Sequence, residues 1–150
     1  MKDKISIPRI QLLHPKVRDT FQKFIEDAEN GLGIVLRVTQ SLRTIAEQNA
    51  LYAKGRTAPG PIVTKAKGGS SFHNYGLAID VNRLDGKAID WKYDNAKLLP
   101  FMPPEMEWGG HWISIKDDPH FQITFGLSWQ TLMRKYKAGL FIPGTKYVKF

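Results

Sequence analysis

Residues 70–90 read SSFHNYGLAIDVNRLDGKAID, and the second half of that stretch alternates in the manner of a half-buried strand. Leu77, Ile79 and Val81 fall on one face of an extended chain, while Ala78 and Asp80 fall on the other. Asp85-Gly86 then supplies the residue pair of a tight hairpin turn that returns the chain into Lys87–Asp90. An antiparallel sheet is the expected centre of the fold. Asp80 shares its face with the small Ala78, which leaves room beside the carboxylate for an ion or a substrate. His73 lies seven positions upstream, in a glycine-containing approach that can fold back towards that face.

On either side of this hairpin the pattern is mixed. Val17, Phe21, Phe24, Ile25 and Ala28 recur at helical spacing, which predicts a helix opening near Pro15 and stopping at Gly31. GIVLRVTQS, residues 33–41, is β-branched and short enough for a strand that ends close to Arg43. Thr44 and Glu47 form a capping box for a helix that runs to Gly55, and residues 56–70, with two prolines and three glycines, read as a long surface loop. Downstream, a short helix is expected over residues 94–99, a strand edge at EMEW and a strand at HFQITF. The closing helix has Ser128 as N-cap, Leu127 and Leu132 as a hydrophobic staple, Trp129, Leu132, Met133 and Tyr136 on one face, and Gly139 as its stop. Helices mixed with an antiparallel sheet in this order predict an α+β fold, one small domain over residues 1–150 with helices packed on the sheet.

The chain of 150 residues is 42% hydrophobic and 24% charged, a globular balance that argues against disorder. It has no cysteine, which excludes disulfides and thiolate metal sites and leaves His, Asp and Glu as ligands. The N-terminal MKDKISIPRIQLLHPK lacks the apolar run of roughly 7 to 15 residues that a secretory signal needs, and no window approaches a membrane span. A cytosolic product without stable membrane insertion is expected. The net charge of +8 favours polyanionic partners without choosing among nucleic acid, membrane surface and wall polymer, and the basic residues form no dense run.

A second charged stretch, DDPHFQI at 117–123, brings His120 into a strand directly after Pro119. If this strand pairs with that of Asp80, His73, Asp80 and His120 become three protein ligands with a fourth position open to water, the arrangement of catalytic zinc. Asp117 is then free to take the water's proton, with Asp118 as the competing candidate and a turn-forming role as that residue's plainer reading. Arg43, between the first strand and the second helix, can hold a developing oxyanion or clamp a carboxylate. His111 in WGGHW is a further possible ligand, His14 is expected to support the entry to the first helix, and Trp108 and Trp112 could line a cleft or fill the core.

With these residues in place the sequence resembles the zinc peptidases grouped with D-alanyl-D-alanine carboxypeptidases and phage L-alanyl-D-glutamate endopeptidases. The family pattern Ser-x-His-x-x-Gly-x-Ala-x-Asp is matched by Ser71, His73, Gly76, Ala78 and Asp80, and LRTIAEQNALYAKGRT and EWGGHW followed by DDPHF look like the family's other blocks. The resemblance runs from about Leu12 to Phe125. It implies a hedgehog/D-Ala-D-Ala-peptidase-like fold and His73, Asp80 and His120 as ligands of Zn2+. Asp117 becomes the general base, Arg43 the stabiliser of the tetrahedral intermediate, and Arg43 and Ser71 the substrate contacts. The implied protein is a monomeric phage-type endolysin without a separate wall-binding domain, held in the host cytoplasm until released to the periplasm and cell wall. Its implied partner is the peptidoglycan stem peptide, cut between L-alanine and D-glutamate. A D,D- or L,D-carboxypeptidase, a zinc-bearing module without turnover and a nucleic-acid binder are the competing readings.

Overall fold

The computed structural model describes residues 1–150. Four helices, α1 (Ser6–Gln11), α2 (Arg18–Leu32), α3 (Ile45–Ala53) and α4 (Trp129–Lys137), accompany five strands, β1 (Val35–Gln40), β2 (Ala78–Asp85), β3 (Ala88–Asp90), β4 (Glu107–Trp108) and β5 (His120–Gln122). The sheet runs β1-β2-β5-β4 with every pairing antiparallel, and β3 pairs with the far end of β2 through a two-residue turn at Gly86-Lys87, one residue later than the sequence pattern placed it, with Asp85 opposite Ala88. No helix is long and apolar enough to cross a membrane.

The alternation in β2 separates the two faces of the sheet. Ile79 and Val81 join Leu36, Val38 and Phe121 in a core against Phe21, Phe24, Ile25 and Ala28 of α2, with the Phe24 and Phe121 rings 5.0 Å apart. Each such large side chain, removed from water, contributes roughly 1.5–3 kcal/mol to holding helix on sheet. The opposite face carries Arg37 across from Asn82 and Asp80 across from His120. Because one face is committed to the core, a one-residue slip of β2 would bury Asp80 and expose Ile79. Register and site are therefore fixed by the same pattern.

The outer edge of β1 has no strand neighbour, and side chains satisfy it instead. Glu29 accepts the Leu36 N–H at 3.1 Å, and Ser6 Oγ accepts the Val38 N–H at 2.8 Å while donating to Asp3 at 2.6 Å. Arg37 closes the group with two 3.0 Å bonds to the Asp3 carboxylate.

Several boundaries differ from the sequence reading. α1 is unexpected, and its docking depends on these long-range polar contacts. α2 begins at Arg18 and continues through Gly31 to a cap at Gly33, whose φ is 65°. Gly31 serves packing: a Cβ there would lie 2.4 Å from a Phe101 ring carbon. The short helix expected over residues 94–99 is a 3-10 turn, Asn95–Phe101. β5 has only three residues, because Phe125 turns the chain away with φ 52°. α4 has its Ser128 cap and buries Leu132, but Trp129 lies 39% exposed, off the face assigned to it. His14 does more than support a helix entry. It is fully buried, with Nε2 2.8 Å from the Val148 carbonyl and its ring stacked on Phe150, tying the last residues to the first.

Candidate metal centre

His73 sits in a 3-10 turn, Phe72–Tyr75, capped by Ser71, whose Oγ accepts the His73 N–H at 3.2 Å. The turn ends at Gly76, where φ is 68° and a Cβ would lie 2.6 Å from the His14 nitrogen. Both the left-handed backbone and the close approach require glycine there. From Gly76 the chain enters β2, and Asp80 arrives beside His73 and opposite His120.

The three side chains converge on one carboxylate oxygen. Asp80 Oδ1 is 3.1 Å from His73 Nε2 and 3.3 Å from His120 Nδ1, and one ligand atom from each residue lies within 4.8 Å of the others. The remaining ring nitrogens decide the chemistry. His73 Nδ1 lies 2.8 Å from the Ser41 carbonyl, which only accepts, so Nδ1 carries the proton. His120 Nε2 lies 2.8 Å from Gln122 Oε1, and the Gln122 amide nitrogen donates to Glu107 at 3.1 Å, which fixes the amide's orientation and places the His120 proton on Nε2. In their neutral forms both imidazoles therefore turn lone pairs towards a carboxylate oxygen. Such a set calls for a cation, and two imidazole nitrogens plus one carboxylate oxygen form a donor set suited to zinc. Burial opposes the ionisation of Asp80, but with the imidazoles protonated, N–H donation and positive charge from His120 and His73 outweigh it and hold the carboxyl well below the ordinary range.

Asp117 Oδ2 is 3.8 Å from His120 Nδ1, and burial followed by the charge of Asp80 raises its pKa. The loop that carries it is anchored: the Asp118 carbonyl accepts from Trp108 Nε1 at 2.7 Å and from Asn95 at 3.1 Å, and the Asp117 N–H donates to Gly109 O at 3.0 Å. Gly109 permits this contact, since a Cβ there would lie 2.4 Å from the Asp117 carbonyl. The Asp118 side chain is exposed and does not line the groove over the centre, whereas Asp117 does.

That groove, of about 790 Å³, is also lined by Arg43, Ser71, Lys65, Lys116 and Trp112. Arg43 donates to Gln48 Oε1 at 2.9 Å, and Gln48 in turn donates to the Ala66 carbonyl at 2.8 Å. Asn74 donates to the Arg43 carbonyl and accepts from the Gly69 and Ser71 N–H groups, joining the arginine, the long loop and the His73 turn. A second groove, of about 400 Å³, begins on the other side of Asp80.

His111 stands outside the cluster, 4.9 Å from the Trp108 ring. Trp108 belongs to the core, whereas Trp112 lines the groove 5.0 Å from the His120 ring. Sequence reasoning missed Ser41, Gln48, Asn74 and Gln122. Only Gln122 had a signal, two residues beyond His120 on one strand face.

Residues 64–123 match a family model described as D-alanyl-D-alanine carboxypeptidase. Over 128 aligned positions the chain is 41% identical to the peptidoglycan L-alanyl-D-glutamate endopeptidase CwlK of Bacillus subtilis (strain 168), spanning 74% of this chain and 73% of that protein. The chain belongs to this peptidase family. Within the family, the L-alanyl-D-glutamate peptidase of Listeria phage A118 is 26% identical over 125 positions, which cover 80% of this chain and 41% of the phage protein. The crystal structure of the L-Ala D-Glu endopeptidase ChiX from Serratia marcescens matches with a TM-score of 0.58 at 24% identity, covering 81% of this chain and 88% of that one. This family peptidase thus shares the ChiX fold.

Proposed function

We propose that the chain is a zinc-dependent peptidoglycan peptidase that hydrolyses the bond between L-alanine and D-glutamate in the stem peptide. The observation that carries this reading is the convergence of His73, Asp80 and His120 on one atom, with Asp117 beside them in an open groove. The names of the relatives from Bacillus and from the Listeria phage support the choice of bond.

In this reading His73 Nε2, His120 Nδ1 and an Asp80 oxygen hold the ion. Zinc bound there supplies a Lewis acid that polarises the scissile carbonyl and brings water towards neutral acidity. Asp117 accepts the proton of the attacking water and delivers it to the departing amine, a role its place beside the ligand His120 in the groove allows. Arg43, steadied by Gln48, donates to the carbonyl oxygen as it gains negative charge. Ser71 shapes the substrate's path while capping the His73 turn. Grooves on both sides of Asp80 favour a peptide that runs through the centre over one that ends there, and hence cleavage within the stem over trimming by a carboxypeptidase. The net charge of +8 assists contact with an anionic wall, where a phage-type lytic enzyme would be released to act.

The test is digestion of purified sacculi by the zinc-loaded protein, with and without a chelator, followed by mass spectrometry. A chelator-sensitive release of new D-glutamate N-termini is expected. Release of D-alanine alone would replace the endopeptidase by the carboxypeptidase, and a stoichiometric metal without hydrolysis would leave a binding module.

A further inference from the structure

Apart from Asp80, no residue lining the second groove has a role in the hydrolysis described above. Its walls are Arg9, Arg37, Thr39, Asn82 and Trp91, and it shares Asp80 with the metal centre. Trp91 follows β3 and is 72% exposed, an open indole at the rim of a polar trough. The trough is preorganised: Arg9 is tied to the Val38 carbonyl at 2.7 Å, Arg37 to Asp3, and the Asn82 amide nitrogen to Thr39 Oγ1 at 3.0 Å. These bonds leave further guanidinium N–H groups as donors and the Asn82 carbonyl oxygen as an acceptor. A flat aromatic face beside fixed donors and acceptors suits a ligand with apolar C–H faces and equatorial hydroxyl or amide groups.

The connectivity of the substrate selects that ligand. In peptidoglycan the amine of the stem's L-alanine is acylated by the lactyl arm of N-acetylmuramic acid, and one extended residue spans at most about 3.6 Å. With the lactyl arm counted as a second such length, cleavage after that alanine places the sugar within about 7 Å of the scissile bond. The larger groove, with Arg43, Lys65 and Lys116, suits the D-glutamyl side, where the stem's carboxylates lie. The smaller one remains for the glycan side.

We propose that the groove under Trp91 is a saccharide subsite that holds the N-acetylmuramyl end of the substrate, with the indole as its stacking platform. This rests on the endopeptidase reading. The test compares the zinc-loaded wild type, Trp91→Ala and Trp91→Phe on two substrates: a muropeptide bearing its N-acetylmuramyl group, and the same stem peptide with an acetyl cap in place of the sugar. Trp91→Ala is expected to lower kcat/KM about three- to tenfold on the sugar-bearing substrate alone, as the loss of one aromatic contact predicts, with Trp91→Phe restoring most of it. An equal effect on both substrates, or none on either, would overturn the subsite. Calorimetry with N-acetylmuramyl-L-alanine, which has no bond to cleave, gives a second measurement. Binding weakened by the same factor in Trp91→Ala supports the groove even if neither substrate is hydrolysed and the endopeptidase reading falls. Binding that is absent in the wild type, or equal in the two proteins, overturns it.

Discussion

Replacing Gln122 by Ala tests how the centre is held without touching a ligand. Gln122 is 6% exposed and its amide links the buried His120 to the exposed Glu107, accepting from His120 Nε2 at 2.8 Å and donating to Glu107 at 3.1 Å. Alanine removes both bonds; solvent satisfies the exposed Glu107, and the loss falls on the buried His120 Nε2–H. An unsatisfied buried donor costs about 1–3 kcal/mol, and a factor of ten in affinity corresponds to about 1.4 kcal/mol. Loss of the acceptor also frees the imidazole to rotate and to shift its proton onto Nδ1, the nitrogen needed for metal. Zinc affinity is expected to fall about 10- to 100-fold, the usual effect of losing a ligand's outer partner. Competition against a chromophoric chelator measures this directly, with circular dichroism to establish that the sheet persists. A folded Gln122→Ala protein that binds zinc within threefold of the wild type would refute the assignment of His120 Nδ1 as ligand and Nε2–H as donor.

Asp117→Asn is expected to keep zinc and lose about 10²- to 10⁴-fold in kcat, the range for a general base; unchanged turnover would move the role to another carboxylate. Gly109→Ala forces a methyl group to within 2.4 Å of the Asp117 carbonyl, so the loop must shift. Overpacking of this kind costs about 1–3 kcal/mol, visible as a lowered Tm, and turnover should fall while bound zinc remains stoichiometric. Asp3→Asn probes the edge of the sheet. The hydrogen bonds from Arg37 outweigh the opposing burial, Ser6 adds to them, and together they hold the Asp3 carboxyl below the ordinary range. Its contribution is fully present above the unfolded value of about pH 4 and is lost as pH falls through the lower folded value. The Tm difference between wild type and variant should therefore be widest near neutrality and close under acid, as scanning calorimetry across pH would record.

What could be read from the sequence was whatever local physics decides. The alternation of β2, a tight hairpin turn at Gly86 (one residue later than read, at Gly86-Lys87), the Thr44–Glu47 box and the Ser128 cap all depend on residues within a few positions of one another, and each stands in the structure. So does the placement of His73, Asp80 and His120 near one another, because a single strand pairing brings the two segments together. Contacts between distant parts of the chain were not legible. α1 is six residues long and is held through Asp3 and Ser6 against β1, some thirty positions away. The burial of His14 depends on Val148 and Phe150. Gly31 looked like a stop signal because nothing nearby announces Phe101.

The bonds from Gln48 to Ala66, from Gly68 N–H to Asn49 and from Gly69 N–H to Asn74 fasten the segment after α3 at three places to the elements that carry Arg43 and His73. One wall of the cleft and the guanidinium thus form a single mechanical unit. Grafting a relative's 62–70 segment to alter substrate preference would disturb the arginine as well, unless Gln48, Asn49 and Asn74 keep their acceptors and donors in the transplant. Successful exchanges will be those that carry the helix along with the lip.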